Sequence, residues 1–483
     1  MDLRKLQALA REYARLRALE GHTRQTRGQR LNGVLAEMFQ AWGHRARADL
    51  NARGNIDVAF AIEAQRFILE AKWEKSPIGT AAISKLQKRV KQRLAGTIGV
   101  FVSMSGYTPD AIRDVKDGER LEVLLLDDQH VAAMLTGFYP PSELFDLMLD
   151  SAHFSGDPMR RLEDLLDLQL TAIDGEPLRS TSVDQPALRR GVHSITAEWI
   201  AAELPFGQNG ISTFADGRLL LTTGAGLLIA DPETGATLRL LQGAGVTDAK
   251  ALSSGDIAVV RRHGVAVISP AGVKARGGPY GGRVRFADGV QDDLVIFSND
   301  ADGHGRPQAQ GCGATLVTLG EGVGDDTVQE LDYPTFGGAG AMLLGDERIL
   351  VLGNPPVLFH PDGTRRELQL NLSNPFAGVP ALQAGHVLVS GGDVDLVLLD
   401  PTTGRTAWLG QFNLHGSVTE LAMVPGSRTA GYLYAHHQIG NESFGAVVRF
   451  DLGEVTLDGR ECPNALAASP GDMASPESTT PAS

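Results

Sequence analysis

The second half of this 483-residue chain repeats itself. Four segments share one plan: a strand, a glycine-containing turn, an apolar strand, a turn with Asp, Ser or His before Pro, and a final strand. These turns lie at intervals of 38, 91 and 40 residues, at Asp231-Pro232, Ser269-Pro270, His360-Pro361 and Asp400-Pro401. The middle interval is about two periods, and a period near 40 residues with several strands is typical of propeller blades. Residues 195–458 are therefore predicted to form an all-β propeller of about six blades.

The first and last repeats also share a hairpin of the form Ile/Leu-x-Asp-Pro-x-Thr-Gly, in "IADPETG" and "LLDPTTG". In this hairpin the repeats resemble quinoprotein-like and WD-repeat propellers. They lack the tryptophans that define quinone-binding blades, so the resemblance implies the architecture and no quinone cofactor. The ligand or protein partner of such a propeller stays unknown.

The remaining segments differ from the repeats in composition. From about residue 22 to 170 helical and strand patterns alternate, which predicts an α/β domain and makes the protein multidomain. Residues 1–21 form a charged amphipathic helix candidate. Residues 171–194 have the composition of a linker, and residues 459–483 are rich in Ser, Pro and Ala and are predicted to be disordered.

Charge is distributed unevenly along the chain. Residues 1–100 contain 19 Lys and Arg against 9 Asp and Glu, whereas the remainder contains 25 against 49. A basic module on an acidic protein indicates a polyanionic partner. No apolar run is long enough to span a membrane and no signal peptide is evident, so a cytoplasmic protein without membrane contact is predicted. The two cysteines, Cys312 and Cys462, provide neither a disulfide framework nor a cysteine zinc site.

One predicted hairpin, "NIDVAFAIEAQRFILEAKW", contains charged residues among apolar ones. Side chains alternate across a strand, so Glu70 and Lys72 lie on the same face. A two-residue turn at Ala64-Gln65 would set Asp57 opposite Lys72 and Ala59 opposite Glu70. All three charged groups then converge, provided that the loop has an even length or a bulge compensates.

Such a cluster suits phosphodiester chemistry. Two close carboxylates repel each other unless a cation or a proton lies between them, and oxygen ligands favour Mg²⁺ or Mn²⁺. A lysine ammonium beside them can position or help deprotonate a water and stabilise charge that develops at phosphorus. The hairpin therefore predicts a metal site at Asp57 and Glu70, with Lys72 as a catalytic group.

The pattern Asp57-x12-Glu70-x-Lys72 follows a helix that contains Glu37 and precedes a predicted helix over 80–94 and a strand over 97–103. Over residues 22–170 it resembles the PD-(D/E)xK nuclease superfamily, specifically its Mrr-like or type IV restriction endonuclease branch. The proline of the superfamily name is absent before Asp57. The resemblance implies a mixed sheet flanked by helices, Mg²⁺ bound by the two acids, a catalytic lysine, and Glu37 as a further acid of the site.

The helix after the hairpin has an apolar stripe, predicted as Ile83, Leu86, Val90 and Leu94, beside a basic face. The predicted DNA contacts on it are Lys85, Lys88, Arg89 and Lys91, together with Gln87, since some family members use a glutamine here.

The resemblance implies a Mg²⁺-dependent DNA endonuclease acting in bacterial defence, and a homodimer if a double-strand cut requires two sites. A structure-selective repair nuclease, and a DNA-binding remnant attached to a functional propeller, are the alternatives.

Overall fold

The computed structural model describes most of the chain, with gaps mainly in the second half. The described residues are 1–18, 24–50, 55–118, 120–172, 188–191, 196–205, 210–242, 245–280, 284–286, 288–289, 294–298, 314–320, 322–331, 341–344, 346–353, 355–370, 372, 377–380, 386–391, 395–412, 416–427, 429–439 and 442–452.

The N-terminal domain contains one five-stranded sheet and seven α-helices among its described residues. In chain order its elements are α1 (Leu3–Ala18), α2 (Arg24–Ala41), β1 (Arg45–Leu50), β2 (Ile56–Ile62), β3 (Gln65–Lys72), α3 (Thr80–Lys91), β4 (Thr97–Ser103), α4 (Pro109–Lys116), β5 (Val123–Asp127), α5 (Asp128–Leu135), α6 (Pro141–Asp150), a π-helical turn (Ser151–Ser155) and α7 (Leu162–Leu165). The sheet order follows the chain, with β1, β2 and β3 antiparallel and β3, β4 and β5 parallel. The predicted mixed sheet flanked by helices is confirmed.

The two faces of this sheet are covered by different helices. Alternate residues of β2, beginning with Val58 and Phe60, pack under α2, where the ring of Phe39 stacks on Phe60 at 3.9 Å between centroids. On the opposite face the apolar side of α3 packs on Ile68 of β3 and Phe101 of β4. The period of two in the strands thus separates an α2 face from an α3 face.

Helix α3 is shorter than predicted. It ends at Lys91, where the N–H groups of Gln92 and Arg93 bond to carbonyls three residues back and tighten the last turn. Leu94 therefore lies beyond the helix with 87% of its surface exposed, and its assignment to the apolar stripe was wrong.

The other strands among the described residues form six sheets, here called propeller sheets 1 to 6. Sheet 1 contains β6 (Leu168–Ala172), β9 (Gly210–Thr213), β10 (Leu219–Thr223), β11 (Gly226–Ala230) and β12 (Thr237–Gln242). Sheet 2 contains β13 (Val246–Ala251), β14 (Ile257–Arg261), β15 (Gly264–Ser269) and β16 (Gly272–Gly277). Sheet 3 contains β17 (Val284–Phe286), β19 (Leu294–Ser298), β20 (Ala314–Thr318) and β21 (Thr327–Leu331).

The other three sheets complete the second half. Sheet 4 contains β18 (Asp288–Gly289), β22 (Ala341–Leu343), β23 (Ile349–Val351), β24 (Val357–Phe359) and β25 (Arg365–Glu367). Sheet 5 contains β7 (Leu188–Gly191), β26 (Ala377–Pro380), β27 (Val387–Ser390), β28 (Asp395–Leu399) and β29 (Thr406–Phe412). Sheet 6 contains β8 (Thr196–Pro205), β30 (Gly416–Met423), β31 (Ala430–Ile439) and β32 (Glu442–Asp451). The strand pairs are antiparallel, apart from the parallel pair β18–β22.

The predicted proline turns join the last two strands of a repeat. They connect β11 to β12, β15 to β16, β24 to β25, and β28 to β29. Sheet 3 has no such turn and lies between the second and third of them, which explains the doubled interval of 91 residues. The predicted all-β propeller is confirmed.

The segment between the two domains is more than a linker. Strand β6 pairs with β12 at the outer edge of sheet 1, β7 pairs with β29 in sheet 5, and β8 pairs with β32 in sheet 6. The linker interpretation of residues 171–194 is therefore wrong for the described part, because outer strands offer unpaired backbone groups that even a short polar segment such as "LRRG" can satisfy. Residues 173–187, 192–195 and the predicted disordered tail lie outside the described residues.

The two domains pack against each other through a shared apolar core. One hydrophobic cluster includes residues from α1, α2, α5 and α6 together with residues of sheets 1 and 2. At its edge Arg261 of β14 is buried, donates to the Phe138 carbonyl at 2.7 Å and pairs with Glu143 of α6. The propeller is thus fixed in position relative to the N-terminal domain. Among the described helices none is long and apolar enough to cross a membrane.

Candidate active site

The hairpin that holds the predicted site turns one residue earlier than predicted. Ile62 pairs with Gln65, so the two-residue turn is Glu63-Ala64 and not Ala64-Gln65. Glu63 has a left-handed φ of 48°, as such short hairpin turns require. The predicted even loop length is confirmed, whereas the predicted register is wrong.

The corrected register keeps the charged groups together. Ala59 lies opposite Ile68 instead of Glu70, and Val58 lies opposite Leu69, so Asp57 is in line with Glu70 rather than with Lys72. The change moves the partner of Asp57 by two positions along β3. Because side chains alternate with a period of two, Asp57 still faces the same side of the sheet as Glu70 and Lys72.

Direct contacts join Lys72 and Arg89 to Glu70, and Asp57 to the backbone of the residue after Glu70. The Lys72 ammonium lies 3.0 Å from one Glu70 carboxylate oxygen, and the Arg89 guanidinium of α3 pairs with the other. The Ala71 backbone N–H donates to the Asp57 carboxylate at 2.9 Å, which orients Asp57 toward the end of β3. The cluster lies at the end of β3, the strand between the antiparallel and parallel parts of the sheet, and beside α3.

Burial and neighbouring charges change the acidity of these groups. Burial raises the pKa of Asp57 above its usual value, and Glu70 raises it further, against the Ala71 N–H and the two cations. Burial alone would lower the pKa of Lys72, but its hydrogen bond and ion pair with Glu70 outweigh burial and raise it. Lys72 is therefore a cation at neutral pH, and Asp57 is a carboxylate whose ionised form gains from an added cation.

The donor set suits a hard divalent cation. Two carboxylates from adjacent strands supply oxygen ligands, which Mg²⁺ and Mn²⁺ prefer. Among the residues that the structure describes, no group of three or more His, Cys, Asp and Glu side chains forms a further metal cluster. A cation held by Asp57 and Glu70 would compete with Lys72 and Arg89 for the oxygens of Glu70.

Glu37 lies in a different environment. Its carboxylate accepts from the Arg30 guanidinium at 3.2 Å, and Arg30 also pairs with Glu12 of α1 at 3.2 Å. Helix α2 covers the sheet face opposite to the one that Asp57 and Glu70 share. The described contacts of Glu37 are thus with this ion-pair chain, and its catalytic role stays a prediction.

The predicted DNA contacts on α3 separate around the helix. Arg89 faces Glu70, and Lys85, one turn earlier, lies on the same flank and is exposed. Gln87 and Lys91 are each two residues from Arg89, which is about 200° around a helix of 3.6 residues per turn. Lys91 accordingly pairs with Glu122 beside β5, at 4.0 Å. Lys88 is exposed and points outward between the two flanks.

Arg89 contacts a carboxylate of the candidate site, and its role as a DNA contact stays a prediction. The sequence analysis did not single out two arginines on β1. Arg45 and Arg47 lie directly opposite Ala61 and Ala59 of β2, on the face that Asp57 shares. Their alternation in "RARADL" is the signal that could have identified them, since a period of two places both on one face of a strand.

An acidic pair joined to a lysine on one hairpin, beside a helix over a mixed sheet, is the geometry that the sequence predicted for an Mrr-like domain. Residues 23–135 match the Mrr_cat restriction endonuclease family. The Mrr_cat region extends from near the start of α2 to the end of α5, and so includes Asp57, Glu70 and Lys72. The family description indicates a nuclease. A search of the curated proteins found no similar sequence.

Solved structures similar to this chain include three other proteins. A gluconolactonase of Xanthomonas campestris is 11% identical, with 58% of this chain and 99% of that one covered and a TM-score of 0.42. A luciferin-regenerating enzyme is 13% identical, with 53% and 95% covered and a TM-score of 0.40. A protein of unknown function from Bacteroides thetaiotaomicron is 10% identical, with 53% and 76% covered and a TM-score of 0.40. No activity is transferred to this chain at these identities.

Proposed function

We propose that this protein is a metal-dependent endonuclease that hydrolyses phosphodiester bonds of DNA. The observation that supports it most directly is the Glu70 carboxylate, in line with Asp57 across the hairpin and in contact with the Lys72 ammonium. The proposed cofactor is Mg²⁺, with Mn²⁺ as a substitute, held by Asp57 and Glu70. When bound, it would polarise a phosphoryl oxygen of the scissile bond.

The other groups of the site have separate roles. Lys72, held cationic beside Glu70, positions the attacking water and stabilises the negative charge that develops on the phosphoryl oxygens. Arg89 restrains the Glu70 carboxylate from α3, and the Ala71 N–H restrains Asp57 from β3. Attack by water on phosphorus breaks the bond to the leaving sugar oxygen, which takes a proton.

Alanine variants of the site residues test this proposal. Asp57→Ala, Glu70→Ala and Lys72→Ala should each lower cleavage of plasmid DNA by two or more orders of magnitude, as loss of one electrostatic or acid–base group does in enzymes, about 10²–10⁴-fold. The matched control is Lys75→Ala, since Lys75 is an exposed lysine just beyond β3. Undiminished cleavage by all three variants, or equal cleavage in Mg²⁺ and in EDTA, would overturn the assignment.

The proposal extends to the biological role. A restriction endonuclease family match at residues 23–135 supports defence against foreign DNA. The packing of the propeller on the Mrr_cat region supports a role for the propeller in docking a partner or sensing a ligand. A homodimer would supply two sites for a double-strand cut.

A substrate panel and a mass measurement test these finer points. Preference for DNA of one methylation state supports defence, whereas preference for branched over linear DNA supports repair. A monomer that remains monomeric on duplex DNA contradicts the dimer.

A further inference from the structure

The α3 face of the sheet is covered on only part of its width. The apolar side of α3 packs on β3, β4 and β5 through Ile68, Phe101 and Leu125. On β1, toward the edge of the sheet, Arg45 and Arg47 are exposed, and Ala61 beside them on β2 is only half-buried. Asp57 and Glu70 lie at the boundary between these two parts. The accessible strip of β1 and β2 therefore leads directly to the proposed catalytic groups.

The strip has a basic edge formed by arginines and a floor formed by small alanine side chains. Arg45 lies opposite Ala61 and Arg47 opposite Ala59, so all four side chains are on the face of Asp57. Alanine side chains in the middle of a sheet face allow another backbone to approach closely. A cavity of about 490 Å³ opens at this strip, and its lining includes Arg45, Arg47, Leu50, Ala59, Ala61 and Arg66.

The two β1 arginines are available for a ligand. Among the described contacts neither guanidinium has a hydrogen bond or an ion pair with the protein. This distinguishes them from Arg66, which donates to carbonyls of its own hairpin turn, and from Arg89, which pairs with Glu70. An unpaired arginine at the edge of a small-residue floor is suited to bind a phosphate by two parallel hydrogen bonds.

We infer that this strip is the track on which one strand of DNA lies before cleavage, with Arg45 and Arg47 binding consecutive phosphates. This inference rests on the proposed nuclease function and names its substrate contacts. The phosphate backbone runs along β2 over Ala61 and Ala59, and the next phosphate reaches Asp57 and Glu70. Lys85, exposed on the flank of α3 that Arg89 shares, borders the track from the other side.

Charge and continuity favour a nucleic-acid backbone over other occupants. The strip exposes guanidiniums spaced two residues apart along an extended strand, a separation of about 6.6 Å that is close to the spacing of successive phosphates in a nucleic-acid strand. An isolated small anion would use one arginine and would leave the alanine floor empty. A strand that continues from the arginines to the acids uses every part of the surface.

DNA binding without cleavage tests this inference. The double variant Arg45→Ala/Arg47→Ala is compared with Arg113→Ala/Lys116→Ala, which removes two exposed basic residues of α4 in the same domain. Affinity for a short labelled duplex is measured in EDTA at several salt concentrations. The slope of log affinity against log salt is negative, and each lost phosphate contact should reduce its magnitude by about 0.9. The magnitude should therefore fall by about two in the β1 variant and stay unchanged in the α4 control.

The outcomes separate the inference from the proposed function. Equal salt slopes in the β1 variant, the α4 control and the unaltered protein overturn the inference, even if the Asp57, Glu70 and Lys72 variants have lost cleavage. A reduced slope in the β1 variant supports the track even if no cleavage is found, in which case the proposed nuclease activity fails alone. Absence of DNA binding by the unaltered protein overturns both. Recovery of the slope in Arg45→Lys/Arg47→Lys would show that charge, and not folding, is responsible.

Discussion

Arg261 is buried where the propeller packs on the N-terminal domain, and Arg261→Ala is expected to destabilise the protein far more than Arg262→Ala, the same change at the next residue. Arg261 is 4% exposed, whereas the side chain of Arg262 is 51% exposed. Both arginines pair with Glu143. The adjacent residue thus provides a control with the same acidic partner and the same change in charge.

The expected magnitude follows from what Arg261 contacts. Its removal leaves the buried Phe138 carbonyl without this donor, which costs about 1–3 kcal/mol. The guanidinium also lies 4.0 Å from the centre of the Tyr139 ring, a desolvated contact worth about 2 kcal/mol. Glu143 keeps Arg262, so its charge is not left unpaired, and these contributions overlap. We therefore expect a loss of about 3 kcal/mol, at the lower end of what breaking a buried ion pair costs.

Thermal and denaturant unfolding of the full chain measures this difference. Arg261→Ala should lower the melting temperature by several degrees, while Arg262→Ala, which breaks an exposed pair, should cost no more than about 1 kcal/mol. If the propeller and the N-terminal domain unfold together, the thermal and the denaturant midpoints should both shift in the variant. Equal effects of the two substitutions would refute the claim that burial at this interface makes Arg261 contribute more to stability than Arg262.

Two further predictions concern the site and the interface. Asp57→Asn should raise stability in metal-free buffer at neutral pH. The raised pKa of the folded Asp57 carboxyl gives stability that is present below the ordinary pKa of 3.8 and lost as pH rises through the higher folded value, so the gain of the variant should disappear in acid. Mg²⁺ should stabilise the unaltered protein and not the variant. Stability profiles against pH that coincide for the two proteins would contradict this. Gly264→Ala should lower the free energy of unfolding by about 1–3 kcal/mol, since its added Cβ would lie 2.7 Å from backbone atoms of Phe138 and Thr136. Gly79→Ala, with open space around it, should change it little. Equal melting temperatures of these two variants would contradict the prediction.

The convergence of the charged side chains on one face of the hairpin was predictable from an even loop length alone, whereas the register was not. Asp57, Glu70 and Lys72 share a face for any even loop, so the convergence survived a turn that moved to Glu63-Ala64. The choice between the two turns depends on which residue accepts a left-handed φ, and neither Glu63 nor Ala64 is a residue that prefers it. Local sequence therefore determines which of these residues share a face and leaves their exact alignment to tertiary packing.

The propeller strands were predictable where the sequence repeats, and the prediction failed where it does not. Proline turns identified four of the repeats, and the doubled interval indicated that another lay between them. Strands β6 and β7 had no such signal, because short outer strands are stabilised by hydrogen bonds to a partner and need no apolar period of their own. The partners of Glu37 and Arg89 were likewise hidden, since they depend on which helix lies over which face of the sheet.

The strands that follow the Mrr_cat region impose an order on folding. Gly191 of β7 pairs with Gly410 of β29, a residue 219 positions later. Strand β8 likewise pairs with a strand that is synthesised much later, β32. During synthesis the N-terminal domain can fold as it emerges, whereas β7 and β8 remain unpaired until β29 and β32 have been made. A fragment that ends after any of sheets 1 to 4 would leave both strands unpaired, so sheets 5 and 6 are completed only when β29 and β32 are in place.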